Sequence, residues 1–489
     1  MMRYFSTRSA LTADSAQAVL QGLAPDGGLY SAALSSFSRF DWRSCLERDS
    51  LGMETAILSY LLPELGNMES LVNAAYAGKF ETDALTPLVP VGDRWMLELF
   101  RGPTSAFKDV ALSMLPHLMR RAREVKNLRE DTVILTATSG DTGKAALEGF
   151  HDVSGFRIMV FYPHEGVSAI QRAQMVTQEG KNVTVCAVRG NFDDCQSAVK
   201  TAFVTLGESG QGGNLSSANS INIGRLAPQI AYYFIAYREL LERGALSPGE
   251  EADFVVPTGN FGDILAGYYA KLLGLPVGRL VCASNANRVL TDFFRTGVYD
   301  RRREFHRTSS PSMDILVSSN LERLLYLASG EKAETVCAYM DSLKAEGFYR
   351  ADGDTMAALR ECFSAYACSE SETAAAIRRV WEEDGTLIDP HTAVAFHAAE
   401  AFRRETGRKA PLVVLSTASP YKFVPDVLAA LGESGTGDEF EAMARLSALT
   451  HTPIPPNLAS LRGKTVRHTD VIDKADIVNY IRRKREEKK

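Results

Sequence analysis

One lysine, Lys108, stands in the run Gly102-Pro103-Thr104-Ser105-Ala106-Phe107-Lys108-Asp109-Val110-Ala111-Leu112, where a turn opens onto apolar residues and an ammonium finds no evident solvent. Two readings fit that placement. In one, the apolar stem lies along the surface and the charged head snorkels into water. In the other, burial keeps part of the amine neutral, the state that adds to an aldehyde to form a Schiff base. Two glycine-rich loops further along the chain tilt the balance toward the second.

The first loop follows the β-type run Asp131-Thr132-Val133-Ile134-Leu135-Thr136-Ala137 and reads Thr138-Ser139-Gly140-Asp141-Thr142-Gly143, after which Lys144 opens a helical pattern. Hydroxyls and free backbone N–H groups at a helix N-terminus suit a carboxylate or a phosphate. An ordinary capped turn of an α/β unit would use the same residues. A nucleotide P-loop is excluded, because Thr138 stands where its first glycine is required and Ala145 where its Ser or Thr is required. The second loop, Pro257-Thr258-Gly259-Asn260-Phe261-Gly262-Asp263, lies between the strand-like Asp253-Phe254-Val255-Val256 and the helical run from Ile264 to Lys271. Gly259 and Gly262 would let amides approach a phosphate, with the helix start adding positive potential. The spacing lacks the leading Gly-x-Gly of a dinucleotide fingerprint, and a tight turn has the same composition.

In order and spacing, the segments around Lys108, Ser139 to Gly143 and Gly259 to Asp263 closely resemble the threonine synthase family, pyridoxal-phosphate enzymes of fold type II, the tryptophan-synthase-β group. Tyr4-Phe5-Ser6-Thr7-Arg8, Gly22 to Tyr30, Asn219 to Gln229, Asp389-Pro390-His391-Thr392-Ala393-Val394 and Leu415 to Pro420 extend the likeness to about residue 425, nearest the longer fungal and enterobacterial branch. The resemblance implies that Lys108 carries pyridoxal 5'-phosphate as a Schiff base and, once freed, serves as the base for the Cα proton. It implies that Gly259, Asn260, Phe261, Gly262 and Asp263 hold the cofactor phosphate, and that Ser139, Gly140, Asp141 and Thr142 take the substrate α-carboxylate. The substrate implied is O-phospho-L-homoserine, converted with water to L-threonine and phosphate, the last step of threonine biosynthesis. A relative that stops at 2-oxobutyrate, a phospho-lyase, would show the same motifs.

Asn219, Ser220 and Arg225 are placed by position to meet the phosphate leaving group, although Arg225 would equally serve as a structural residue of a long helix spanning Ser220 to Leu241. Thr417 follows the strand Leu412-Val413-Val414-Leu415, at the carboxyl end where ligands of open α/β sheets collect. There it would meet the cofactor ring nitrogen with a neutral hydroxyl, or cap the turn before Pro420. Two positions depart from the family pattern: Lys144, an added cation that would assist a phosphate-bearing substrate, and Ser419-Pro420-Tyr421-Lys422-Phe423 in place of His-Pro-Ala-Lys-Phe.

The elements that must position these groups read as α/β with parallel sheets covered by helices. Apolar runs (Val133 to Ala137, Phe156 to Phe161, Val183 to Val188) alternate with helical ones (Ala169 to Gln178, Gln196 to Thr205). The chain divides into a mostly helical segment at 1–95, an α/β domain at 96–245, and a second at 246–489 with a helical insertion at about 320–385. Arg301-Arg302-Arg303-Glu304 followed by Arg307-Thr308-Ser309-Ser310-Pro311-Ser312 reads as a mobile, solvated loop, with a phosphoanion site as the alternative, and the tail Lys474 to Lys489 as a frayed, charged helix.

A length of 489 residues, 45% hydrophobic and 23% charged, is that of a globular chain of two or three domains. A net charge of −6 argues against general nucleic-acid binding. Seven cysteines without Cys-x-x-Cys spacing, and His391 and His397 six residues apart, give no metal site and suit the reducing cytoplasm. With no membrane partner expected, the reading is a cytoplasmic monomer or weak dimer acting on a small molecule.

Overall fold

The structure, a computed structural model, describes residues 2–138, 140–165, 167–208, 214–435 and 437–487. Two sheets organise it. The larger has six strands in the order Phe363–Ala367, Val277–Ser284, Ala252–Pro257, Leu412–Ser416, Arg94–Glu98 and Leu88–Val91, parallel except for the last pair, a hairpin. The smaller has five parallel strands in the order Asp470–Asp473, Val183–Arg189, Phe156–Pro163, Thr132–Ala137 and Asn214–Ser216. Thr132–Ala137 and Ala252–Pro257 are buried along their whole length, as parallel strands covered by helices on both faces must be. Their near-continuous apolar composition follows from that burial.

The chain passes from one sheet to the other through the helix Lys108–Val125. It leaves the larger sheet at Glu98, turns through residues 99–107, runs along this helix and enters the smaller sheet at Thr132. The site lysine is therefore the first residue of the element that joins the two halves. A third, antiparallel sheet of Tyr4–Ser6, Thr12–Ala13 and Tyr30–Ala32 lies in the N-terminal segment.

Four expectations are corrected. Ser220 to Leu241 is not one helix: Asn222 caps a short helix at Ile223–Leu226 by accepting from the Gly224 amide at 2.9 Å, and Pro228 then sits in a 3-10 turn before the helix resumes at Ile230–Glu242. Proline tolerates the opening turn of a helix but not its interior. The 320–385 segment is not wholly helical, since Phe363–Ala367 pairs in parallel with Val277–Ser284 and Phe348–Arg350 pairs with Val298–Asp300. The tail is not frayed. Ile477, Tyr480 and Ile481 form an i, i+3, i+4 stripe buried in the same apolar cluster as Cys195, Val199 and Ala202 of the helix Phe192–Glu208. Asp470–Asp473 adds an edge strand, so residues 470–486 belong with the smaller sheet and not with the C-terminal half of the chain. The solvated-loop reading holds only for the first half of the 301–312 segment, where Arg302 pairs with Asp300 and Arg303 with Asp292, both at 2.8 Å; Ser310 is buried and Ser312 Oγ accepts from Lys108 Nζ at 3.2 Å, because the second half packs into the interior.

Candidate functional site

Lys108 begins its helix because residues 103–107 are clamped to the end of the strand Leu412–Ser416. The Phe107 amide donates to Thr417 O at 2.8 Å, the Ser419 amide to Ser105 O at 3.1 Å, and Asn457 Nδ2 to Pro103 O at 2.8 Å. These bonds hold Ser105 at φ 59°, a left-handed conformation that a non-glycine residue adopts only when its surroundings impose it. Asp109 braces the same turn, accepting from the Thr104 amide at 2.9 Å and from the Thr104 hydroxyl. Burial pushes the Asp109 carboxyl up to about 6.

The result decides between the two readings of Lys108. Its side chain is 8% exposed, and Nζ lies 3.2 Å from Ser312 Oγ, 3.8 Å from Asp141 Oδ2 and 4.9 Å from the centre of the Phe107 ring. It does not snorkel. Burial draws the amine down to about 8, with Asp141 opposing and Arg225 and Lys422 adding to the fall.

Asp141 is the first residue of the helix Asp141–Phe150, held by Gln171 Nε2 at 2.7 Å and by Lys422 Nζ at 2.6 Å. Burial works against its charge, yet Lys422 and Lys108 outweigh burial and keep the carboxyl well below the ordinary range. The Thr138 hydroxyl accepts from the amides of Gly140 and Gly143 at 3.0 and 2.9 Å. The amides of Asp141 and Thr142 donate to no protein acceptor among the described residues. Gly140, at φ 146° and packed on Gln171, has no room for a side chain. Ser139 lies outside the described residues. Lys144 does not serve the cavity, because its ammonium is taken by Glu148 at 2.9 Å and by Gln178.

The second loop is built differently. Phe261 at φ 64° precedes the helix Gly262–Leu272, and none of the amides from Gly259 to Gly262 donates to a protein acceptor among the described residues. Two carbonyls are fixed instead: Ser318 Oγ donates to Gly259 O at 2.7 Å, and Asn320 Nδ2 to Asn260 O at 3.0 Å. A Cβ on Gly259 would lie 2.7 Å from Ser312 O, so that glycine lets two backbones touch. A Cβ on Gly262 would meet nothing closer than 3.6 Å and would point toward Ser220, Asn320 and Gln229, at the cavity. Asp263 faces Tyr233, whose hydroxyl donates to Oδ1 at 3.1 Å, while Oδ2 is buried without a partner; burial pushes this carboxyl up to about 7.

Both loops meet at one cavity of about 840 Å³. Lys108, Thr142, Asn219, Ser220, Arg225, Thr417 and residues 259–263 line it, whereas Asp141 and Gly140 stand just behind. Arg225 is buried and donates to Ala218 O at 2.8 Å, but among the described residues its Nε has no partner and no carboxylate pairs with it; burial draws it down to about 10. Three residues that the sequence reading did not assign to the site belong to it. Ser312 touches Lys108, and its amide donates to His391 Nε2 at 3.1 Å. His391 is oriented by Asp389 Oδ2, 2.6 Å from Nδ1, at the N-terminus of the helix Pro390–Thr406. Lys422 is fully buried. Its signal was the one that marked Lys108, a lysine among apolar neighbours, here Tyr421, Phe423 and Val424.

Residues 86–418 match the model of the pyridoxal-phosphate dependent enzymes and residues 392–481 that of the threonine synthase C-terminal region. The threonine synthase of Pseudomonas aeruginosa is 38% identical over 96% of this chain and 98% of its own. This chain belongs to the threonine synthase family. The pyridoxal-phosphate-bound threonine synthase of Brucella melitensis superposes with a TM-score of 0.87 at 37% identity, over 99% of both chains. Threonine synthase-like 1 of Homo sapiens is 38% identical over 85% of this chain, which spans 58% of that relative's length.

The family's cofactor is pyridoxal 5'-phosphate, and the residues fit it. A buried amine drawn toward neutrality, a run of unclaimed amides at a helix start, and the opening that a Cβ on Gly262 would fill supply what an aldehyde and a phosphate need.

Proposed function

We propose that the chain converts O-phospho-L-homoserine and water to L-threonine and phosphate. The observation that carries this is the Lys108 amine, buried at the wall of a cavity into which two separate sets of free helix-start amides open. When bound, pyridoxal phosphate supplies an electron sink for the carbanions that γ-elimination and water addition at Cβ demand.

The chain's own residues divide the remaining work. The amides of Gly259, Asn260, Phe261 and Gly262 hold the cofactor phosphate, and Thr417 offers its ring nitrogen a hydroxyl. The free amides of Asp141 and Thr142 take the substrate α-carboxylate. Arg225, whose Nε lacks a partner, receives the substrate phosphate together with Asn219 and Ser220. The Lys108 amine takes the Cα proton, and its fall to about 8 keeps a working share of it neutral near physiological pH. Ser312 fixes where that amine points.

The working form is inferred to be a cytoplasmic monomer or weak dimer without nucleic-acid or membrane partners, a reading supported by seven free thiols and a net charge of −6. No helix among the described residues is long and apolar enough to cross a membrane. Incubation of the cofactor-loaded chain with O-phospho-L-homoserine should release phosphate and threonine in equal amounts. Dominant 2-oxobutyrate would instead make the chain a phospho-lyase, and no phosphate release would overturn the substrate.

A further inference from the structure

Three charges are buried side by side at this site, and only one of them is spoken for by the chemistry above. Asp141 lies between two ammonium groups, Lys422 Nζ at 2.6 Å and Lys108 Nζ at 3.8 Å, with side-chain exposures of 2%, 0% and 8% respectively. The two lysines are not equivalent. Lys422 makes the shorter contact and also donates to Thr104 O at 3.1 Å, so it is anchored to the turn that carries Lys108. Gln174 Nε2 shares that carbonyl at 3.2 Å, and Gln171 Nε2 donates at 2.7 Å to Asp141 Oδ1, the same oxygen that Lys422 contacts.

We propose that Lys422 is the positioning residue that keeps the Lys108 amine free to shed its proton, by claiming Asp141 as its own partner. The inference rests on the reading that Lys108 is the covalent and proton-transferring lysine. A buried carboxylate with one ammonium beside it holds that ammonium charged. With two ammonium groups and one carboxylate, the better-placed partner takes most of the stabilisation and the other is left to pay for its burial. Geometry assigns the better place to Lys422. The other groups facing Lys108 do not reverse this: Asp109 on its own helix is turned to Thr104, Arg225 is a further cation, and His391 with Asp389 stands behind Ser312.

The arrangement has a second consequence at the neighbouring subsite. Asp141 opens the helix whose amides are proposed to take the substrate carboxylate, where an unscreened carboxylate would repel it. Lys422 neutralises it from behind.

The test is a titration of Lys108 in the full chain by trace labelling with acetic anhydride from about pH 6 to 11, read by peptide mass spectrometry. Lys422→Met should raise the Lys108 midpoint by about one unit or more, because Asp141 is then left to Lys108 alone. Lys422→Gln gives the same reading should the methionine variant fold poorly, since it keeps a donor for Thr104 O. Lys422→Arg should return the midpoint to the wild-type value, and removing Asp141 as well, in Lys422→Met with Asp141→Asn, should bring it back down. A Lys108 midpoint that stays put or falls in the folded Met or Gln variant would overturn the proposal. Borohydride mapping of the holoenzyme reports separately whether Lys108 is the covalent lysine, so failure of that reading is distinguishable.

Discussion

The two loops that meet at the cavity share a local build, a buried parallel strand ending in a glycine-bearing turn that starts a helix, yet they differ in what fills the turn. After Thr132–Ala137 the turn is crowded with side chains: the Thr138 hydroxyl takes two amides, and Asp141 sits between two lysines. After Ala252–Pro257 the amides from Gly259 to Gly262 are unclaimed among the described residues, and the carbonyls of Gly259 and Asn260 are tied down by Ser318 and Asn320. Amides do not titrate, so the second loop offers an anion site of fixed strength. The first places a charged carboxylate beside Lys108, the amine proposed to move the proton. An enzyme that must hold one phosphate tightly and pass a proton nearby gains by keeping these tasks on separate helices.

The largest expected effect of breaking this division comes from Lys108→Ala, which removes the buried amine placed between Ser312 and Asp141. Turnover should fall by roughly a thousandfold or more while the melting temperature stays within a few degrees of wild type. Wild-type turnover in the variant would end the assignment. On the fixed side, Gly259→Ala forces a Cβ to within 2.7 Å of Ser312 O, and should both destabilise the fold, by about 1–3 kcal/mol, and weaken cofactor binding. Gly262→Ala, with nothing closer than 3.6 Å, should leave the melting temperature alone and weaken cofactor binding about tenfold, read by equilibrium dialysis. Equal melting temperatures for the two variants would contradict the packing described.

The comparison also predicts a pH dependence. Only the neutral amine adds to an aldehyde, and burial draws Lys108 down from the ordinary lysine value to about 8. The rate of covalent cofactor capture should therefore be flat above about 8 and fall roughly tenfold for each pH unit below it. A rate still climbing at pH 10 would mean an amine that burial does not perturb. The smallest effect is expected from Thr417→Val, which removes one neutral hydroxyl and should cost about 0.5–1.5 kcal/mol of cofactor affinity. Unchanged affinity and rate would leave Thr417 as a turn residue.

Legibility followed locality. Lys108 and both glycine loops were readable because each is a continuous segment with its own strand and helix signals. Ser312 and Lys422 reach the site only through tertiary packing, 204 residues from Lys108 for the Ser312 contact. His391 lay in a motif but gave no hint that its partner would be a backbone amide. The misread helix at Ser220 to Leu241 turned on one residue, Pro228, whose effect apolar periodicity hides. In the tail, dense charge masked the stripe of Ile477, Tyr480 and Ile481.

Lys108 has a close internal competitor for the cofactor, since Lys422 is a second buried lysine sharing Asp141 with it. Borohydride reduction of the cofactor-loaded chain, followed by proteolysis and mass spectrometry, separates the two. One pyridoxyl adduct per chain is expected, on Lys108. An adduct on Lys422 or any other lysine, with Lys108 unmodified, would contradict it.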